Sequence, residues 1–249
     1  MNLLDIKNLT KYYHDLKGEI LAIDNISLTI KEQEFISIIG TSGCGKSTLL
    51  SILAGLENKS DGEIIFNKKD FKIGYMLQND SLFPWRTVLD NCLIGLEIEK
   101  SLTPLKKKKV IDLLNKYGLK DFINMYPDSL SGGMRQRVAL IRTLAIDPDI
   151  LLLDEPLSAL DYQTRLSLSN DLYKIIKEEK KTAIMVTHDL AEAISMSDRI
   201  VVLSKRPSKV KNIFDINYDN RKTPTENRKE KEFDNYYNTI WKEIDLNVQ

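Results

Sequence analysis

The stretch "GTSGCGKST", Gly40 to Thr48, restricts the possible fold more than any other part of the chain. It satisfies G-x-x-x-x-G-K-[ST], follows the apolar run "EFISIIG" and continues into "KSTLLSILAGL", which has the pattern of a helix. Glycines at this spacing let backbone N–H groups turn inward, and the helix that follows aims its positive dipole end at the same point. Such a loop cradles phosphate oxygens. Lys46 supplies a point charge to the β- and γ-phosphates, and the Ser47 hydroxyl is placed for Mg2+. The loop therefore requires a buried strand before it and a sheet-covering helix after it, which is an α/β arrangement.

With 42% hydrophobic residues in 249, the chain can bury the core such a sheet needs. Strand patterns fall at residues 3–9, 26–30, 34–40, 62–66, 73–77, 149–155, 182–188 and 199–204. The runs at 34–40, 149–155 and 182–188 are apolar throughout, as expected of parallel strands covered on both faces. The segments before Gly40 read as an antiparallel meander. Leu168, Leu172, Ile175 and Ile176 repeat at helical spacing and predict a core-facing stripe. From Phe83 to Ile146 only helical signals remain. Residues 83–146 are thus expected to form a helical subdomain set into a core built from 1–82 and 147–206. Residues 207–249 are expected to add a strand and a closing helix, with Phe233, Tyr236, Tyr237, Ile240, Trp241 and Ile244 on one stripe. "TPLKKKKV" opens a helix with a solvated lysine face. "NKKD" (67–70) resembles a guanine-reading tetrad, but it lies only one hairpin beyond the phosphate loop. It reads as a polar turn, and GTP is not indicated.

Two further stretches carry chemistry. Asp154 ends the apolar run "ILLLD", so its carboxylate stands at a strand tip, placed for the shell of a Mg2+ ion; Glu155 projects one residue beyond, where it can polarise a water as general base. "LSGGMRQRVAL", Leu130 to Leu140, opens a second helix with exposed glycines, a capping Ser131 and the nearby Arg135 and Arg137, a second start suited to phosphate. Lys plus Arg and Asp plus Glu number 36 each, and this zero net charge argues against a nucleic-acid binder. Cys44 and Cys92 lie far apart without a CxxC partner, which argues against a zinc ribbon and a disulfide scaffold. No stretch approaches the ~18 apolar residues of a membrane span, and the N-terminus has no long apolar h-region, so a soluble, cytosolic chain is expected.

"GTSGCGKST", "LSGGMRQ", "LLLDEP", "SALD" and "VTHD" occur in the order and spacing of ABC transporter ATPase subunits, which the chain resembles over nearly its whole length. "LFPWRTVLDN", "AISMSDRIVVLS" and the tail "EFDNYYNTIWKEI" resemble the nitrate/sulfonate/taurine-type importer ATPases more specifically. The resemblance implies a P-loop NTPase fold: a RecA-like core sheet with an N-terminal antiparallel β subdomain and an inserted α-helical subdomain. It implies that Gly40, Thr41, Ser42, Gly43, Cys44, Gly45, Lys46, Ser47 and Thr48 hold ATP. Tyr13, or its neighbour Tyr12, would stack on adenine. Ser47, Gln78 and Asp154 would serve Mg2+, with Asp154 acting through water, and Glu155, His188, Lys46 and Gln78 would carry hydrolysis. Two copies would face each other head to tail as a homodimer. Ser131, Gly132, Gly133, Gln136 and Asp161 of one copy would then meet the nucleotide of the other.

Pro84, Trp85 and Arg86 would receive one of two membrane-spanning permease subunits at the cytoplasmic face of the membrane, and an extracytoplasmic solute-binding protein would act indirectly. The implied cargo is a nitrate-, sulfonate- or taurine-like or vitamin-precursor solute. ABC ATPases that act on DNA or ribosomes generally need a coiled-coil insertion, zinc cysteines or two cassettes, and none of these is present here. Two departures stand out: Gln33 replaces the usual glycine before the Glu of "EFISIIG", and Leu77 replaces the usual aromatic before Gln78.

Overall fold

The structure is a computed structural model that describes residues 1–15, 18–158 and 160–245. Ala159 of "SALD" and residues 246–249 of the expected closing segment lie outside the described residues. In chain order the strands are β1 (Asn2–Asp15), β2 (Gly18–Lys31), β3 (Phe35–Ile39), β4 (Asp61–Phe66), β5 (Ile73–Met76), β6 (Ile150–Asp154), β7 (Thr182–Val186), β8 (Arg199–Leu203) and β9 (Val210–Asp215). The helices are α1 (Lys46–Leu53), α2 (Val88–Ile98), α3 (Pro104–Lys116), α4 (Gly132–Ala145), α5 (Tyr162–Glu178), α6 (Leu190–Met196), α7 (Pro224–Asn227) and α8 (Lys231–Asp245).

Two sheets result. β2-β1-β4 is antiparallel, and β5-β6-β7-β3-β8-β9 is parallel except for the β8–β9 edge pair. β3 and β7 are buried at every position, and β6 at every position before Asp154. Their side chains alternate between two cores, as the two-residue period of a strand dictates. Ile36, Ile38, Ile150, Leu152, Ile184 and Val186 face one layer, where Leu49, Leu50, Ile52 and Leu53 of α1 meet the antiparallel sheet. Phe35, Leu151, Leu153, Ala183 and Met185 face the other, against α2, α3, α4 and α5. Leu168, Leu172, Ile175 and Ile176 are buried there, as their spacing predicts.

The helical stretch expected from the sequence holds α2, α3 and α4, each started by a hydroxyl cap: Thr87, Thr103 and Ser131. The aromatic stripe of the tail forms α8. Phe233 and Ile240 pack on α6 and β8, while Trp241 stays half-exposed and stacks on Tyr237 at 6.0 Å.

β1 and β2 extend well beyond the predicted 3–9 and 26–30. Their outer half, with Lys11, Tyr12 and Tyr13 against Leu21 and Ile20, is interrupted by register shifts and mixes polar with apolar residues, so it shows no clean alternation. The turn into β3 holds Gln33 at φ 59°, a left-handed conformation that favours glycine, while its N–H donates to Thr182 Oγ1 at 2.8 Å. A side chain in this region costs about 1–2 kcal/mol, partly offset by the greater unfolded-state freedom of glycine. Gln33→Gly is therefore expected to stabilise the protein by up to about 1 kcal/mol, read as a higher urea midpoint at unchanged m-value.

Candidate functional site

The parallel register brings the candidate residues together. β3 and β6 both pair with β7, and Val186 lies opposite Ile38 on one side and Asp154 on the other. The loop after Ile39, the turn after Asp154 and the turn after Val186 therefore leave the sheet at one height. Two backbone bonds extend the alignment past the strands, Glu155 N–H to Val186 O at 2.9 Å and Thr187 N–H to Ile38 O at 3.3 Å.

The phosphate loop wraps the start of α1. Gly45 takes φ 112°, and a Cβ there would lie 3.0 Å from Ser208 Oγ, so both conformation and space favour glycine. The same Cβ would lie 3.4 Å from Ala22 O, so β2 borders the loop. Lys46 is nearly buried, and its ammonium donates to the carbonyls of Gly40 (3.0 Å) and Thr41 (3.1 Å), which brings the charge back over the loop. Cys44 is buried beneath, where desolvation pushes its thiol above the ordinary range, and its N–H bonds Thr41 O. Ser42, Gly43 and Ser47 are exposed, and Thr48 is half-buried in the first helical turn. Across the β1–β2 hairpin Tyr12 pairs with Leu21 and Tyr13 with Ile20; both tyrosines are half-buried, and the Lys11 ammonium sits 4.8 Å from the Tyr13 ring centroid.

Four side chains from different segments meet around the carboxylates. Ser47 Oγ donates to Asp154 Oδ1 at 3.0 Å, and Tyr75 Oη reaches Asp154 Oδ2 at 3.4 Å. Burial raises the Asp154 carboxyl above its usual range, with the Glu155 charge adding to the effect. Glu155 occupies φ 46°, an unusual conformation for a non-glycine residue, and its Oε2 lies 3.1 Å from His188 Nδ1 and 3.4 Å from Gln78 Nε2. Gln78 also reaches Ser158 Oγ at 3.4 Å, and Ser158 Oγ donates to Glu155 O at 3.0 Å. The structure thus collects Lys46, Ser47, Gln78, Asp154, Glu155 and His188 at the carboxyl ends of the parallel strands.

The second helix start stands apart. Ser131 Oγ accepts from Met134 N–H at 3.3 Å and caps α4. The glycines are not exposed as their pattern suggests: Gly132 is half-buried and Gly133 buried, because both pack closely on Leu160 and the first turn of α5, where a Cβ would stand 3.2 Å from Leu160 Cδ2 at Gly132 and 3.1 Å from Thr164 Cγ2 at Gly133. Gln136 is only 4% exposed, and its side-chain oxygen has no hydrogen-bond partner, so this side chain packs inside the chain and does not face outward. Asp161 is exposed and caps α5 by accepting from Thr164 N–H at 3.0 Å. Arg135 and Arg137 are engaged internally, with Asp80 (3.0 Å) and Asp171 (2.6 Å).

Trp85 projects with 71% of its surface exposed, against Phe83 at 5.2 Å between ring centroids; Pro84 is exposed, and Arg86 pairs with Glu97 at 2.8 Å. The residue that holds this loop escapes a reading of the sequence. Asn91, fully buried, accepts from Phe83 N–H at 2.8 Å and donates to the carbonyls of Phe83, Arg86 and Thr87 at 3.0–3.1 Å. A polar residue four positions into an apolar helix is its only visible signal. Glu192 escapes it too. It is buried beneath the His188 turn, where Thr187 Oγ1 donates to its Oε2 at 2.9 Å.

A family model described as ABC transporter matches residues 23–158. The chain is 46% identical to the ABC transporter ATP-binding protein YtlC of Bacillus subtilis (strain 168), over 98% of this chain and 96% of that protein. It is 41% identical to the aliphatic sulfonates import ATP-binding protein SsuB of Bacillus cereus, over 85% of each. Among solved structures it resembles the dimeric post-hydrolysis state of the ATP-binding cassette MJ0796 bound to ADP and Pi, with a TM-score of 0.73 and 34% identity, covering 87% of this chain and 100% of that one.

Burial, reinforced by the Asp189 charge, pushes Glu192 up to about 7 despite the Thr187 hydrogen bond and the nearby guanidinium groups of Arg165 and Arg228. A carboxyl raised from 4.5 binds its proton more tightly in the folded state, so its contribution to stability is full below pH 4.5 and is lost as pH rises through about 7. Glu192→Gln is expected to flatten the stability profile in that window, measured by urea unfolding at half-unit pH steps.

Proposed function

Because the chain belongs to the ABC transporter family, as an ATP-binding subunit that hydrolyses ATP, we propose that it energises import of a solute through membrane-spanning subunits, working as a homodimer with two shared ATP sites. The carrying observation is the division of phosphate-binding elements within one chain. The phosphate loop and its carboxylates form one cluster, whereas the start of α4, with Ser131 exposed and Gly132 half-buried, has no hydrogen bond or ion pair to residues 40–48 among the described residues. A twofold pair turns each unused helix start toward the other copy's nucleotide, closing two identical sites. The MJ0796 cassette is dimeric with ADP and Pi, which supports this reading.

In the proposed site the N–H groups of residues 40–48 and the Lys46 ammonium hold the phosphates, while Tyr13 or Tyr12 stacks on adenine. The oxygen donors here suit a hard cation: a hydroxyl from Ser47, a carboxylate from Asp154 and the side-chain oxygen of Gln78. Among the described residues there is no cluster of three or more His, Cys, Asp or Glu that could form an all-protein metal cage, which also fits Mg2+ held jointly with ATP phosphates. Bound there, Mg2+ would neutralise phosphate charge. Glu155 accepts the proton of the attacking water, and His188 holds Glu155 in line from 3.1 Å. From the facing copy, Ser131, Gly132 and Gly133 donate to the γ-phosphate, and Asp161 lies beside it. Gln136, buried, supports that helix from within.

Loss of the γ-phosphate removes the charge that α4 holds, so hydrolysis opens the pair. No helix among the described residues is long and apolar enough to cross a membrane, so attachment at the cytoplasmic face falls to permease subunits. Exposed Trp85 on its Asn91-braced loop has the character of an interface anchor for them. The sulfonate-importing relative supports a small anionic or related solute, delivered by an extracytoplasmic binding protein.

Glu155→Gln is expected to bind ATP and remain dimeric in Mg-ATP, and adding Ser131→Arg to return it to monomers in sedimentation velocity. A Glu155→Gln chain that stays monomeric with saturating Mg-ATP contradicts the shared site. Trp85→Ala is expected to leave hydrolysis by the isolated subunit within about twofold while it fails to co-purify with its permease; retained co-purification removes Trp85 from that interface.

A further inference from the structure

One side chain spans the two turns that carry Asp161 and His188. Arg165, on the first turn of α5, donates through Nη2 to Leu160 O at 3.0 Å. Its Nη1 lies 3.5 Å from Asp189 Oδ2 and its Nε 3.7 Å from Glu192 Oε1. Nε is buried and has no hydrogen-bond partner of its own, so the geometry keeps it at ion-pair distance from a carboxylate that is itself nearly fully buried. Glu192 in turn accepts from Thr187, whose Oγ1 accepts from Asp189 N–H at 3.0 Å. The residues on either side of His188 are therefore both tied to Arg165, directly through Asp189 and by way of Glu192 through Thr187.

The other end of the bridge leads to the second helix start. Leu160, whose carbonyl Arg165 holds, is the residue that packs against Gly132, and Thr164, one residue before Arg165, packs against Gly133. Contacts thus run from Gly132 and Gly133 through Leu160 and Arg165 to the Thr187–His188–Asp189 turn, and from His188 to Glu155. The forked, planar guanidinium suits this task because it reaches a carbonyl and two carboxylates at once, which a lysine ammonium on a flexible stem does not.

We propose that Arg165 is a positioning residue that passes a displacement of the Ser131–Gly133 helix start and the Leu160–Asp161 turn to His188 of the same chain. The proposal rests on the reading that those two segments meet the partner's nucleotide. If they do, occupancy of one site is felt at the hydrolytic histidine of the other, and the two ATP sites of a dimer are coupled through Arg165.

The test measures ATP turnover against ATP concentration for the full chain, with ATP dissociation constants from a fluorescent trinitrophenyl-ATP probe, for Arg165→Met, Arg165→Lys and His188→Ala. Wild type is expected to show a Hill coefficient above one. Arg165→Met should lose at least tenfold in kcat and bring the Hill coefficient to one, with the dissociation constant unchanged within twofold. Arg165→Lys keeps a positive charge near Asp189 and Glu192 and should melt like wild type, yet it should not recover the Hill coefficient; if the Met variant does not fold, the Lys variant decides alone. A Lys variant with wild-type kcat and cooperativity overturns the bridge, as does a Met variant that weakens ATP binding at unchanged kcat. Wild-type turnover in His188→Ala refutes the site assignment beneath the proposal. An inactive His188→Ala beside wild-type Arg165 variants refutes the bridge alone.

Discussion

Everything chemical in this chain depends on Val186 being in register with two neighbours. Parallel pairing sets Ile38 and Asp154 at the height of Val186, so three loops far apart in sequence leave the sheet together. Parallel α/β sheets place ligands at the carboxyl ends of their strands for this reason. The strands can hold that register because β3, β7 and all of β6 before Asp154 are buried on both faces, so a one-residue slip would exchange the two cores and is strongly disfavoured. Asp154 is the first residue of β6 that is not fully buried, and the burial that remains raises its carboxyl above the usual range. A carboxylate in such a place is stabilised by neighbouring donors and positive charge, and the Ser47 hydroxyl is one such donor.

Backbone strain at Glu155 falls where the side chain's orientation matters. Glu155, at φ 46°, follows directly on a fully regular strand, and a side chain in that region costs about 1–2 kcal/mol. The conformation is held by its N–H bond to Val186 O and by Ser158 on its carbonyl, and it turns the carboxylate toward His188 and Gln78. Gln33 carries similar strain without any such cluster around it. The comparison separates strain that aims a carboxylate into a cluster from strain that accompanies a tight turn.

Much of this was legible in the sequence because it is local. The phosphate loop, the strand tip at Asp154, the Ser131 cap and the stripe of α8 each depend on residues a few positions apart, and the structure shows each where its pattern predicted. What stayed hidden joins distant segments or breaks a period. The outer halves of β1 and β2 lack alternation. Gln136, which the resemblance places at the other copy's nucleotide, is buried within its own chain. Arg135 and Arg137 looked available to a phosphate, yet Asp80 and Asp171 lie 55 and 34 residues away in sequence and engage them. Glu192 and Arg165 belong to a network that no spacing rule reveals, since its members come from three segments.

The engagement of those arginines changes the physical character of the proposed clamp. With Arg135 held by Asp80 and the Leu130 carbonyl, and Arg137 by Asp171, the start of α4 presents N–H groups and a helix dipole to an anion, without a free side-chain charge of its own from these two positions. A helix terminus is worth roughly 0.3–2 kcal/mol toward a charge, and hydrogen bonds to a charged group about 1.5–3 kcal/mol each. In the proposed dimer, two such starts would give closure that depends on the γ-phosphate and still reverses when it leaves. A bidentate arginine at the same point would bind the remaining phosphates of ADP as well, and the pair would open slowly. The same tether has a second effect. Asp80, two residues after Gln78, holds Arg135 through its carboxylate and Arg142 through its carbonyl, so α4 and the Gln78 loop are tied at two points. In the proposed dimer, a shift that brings Ser131 onto a phosphate would therefore pull on the Gln78 loop as well.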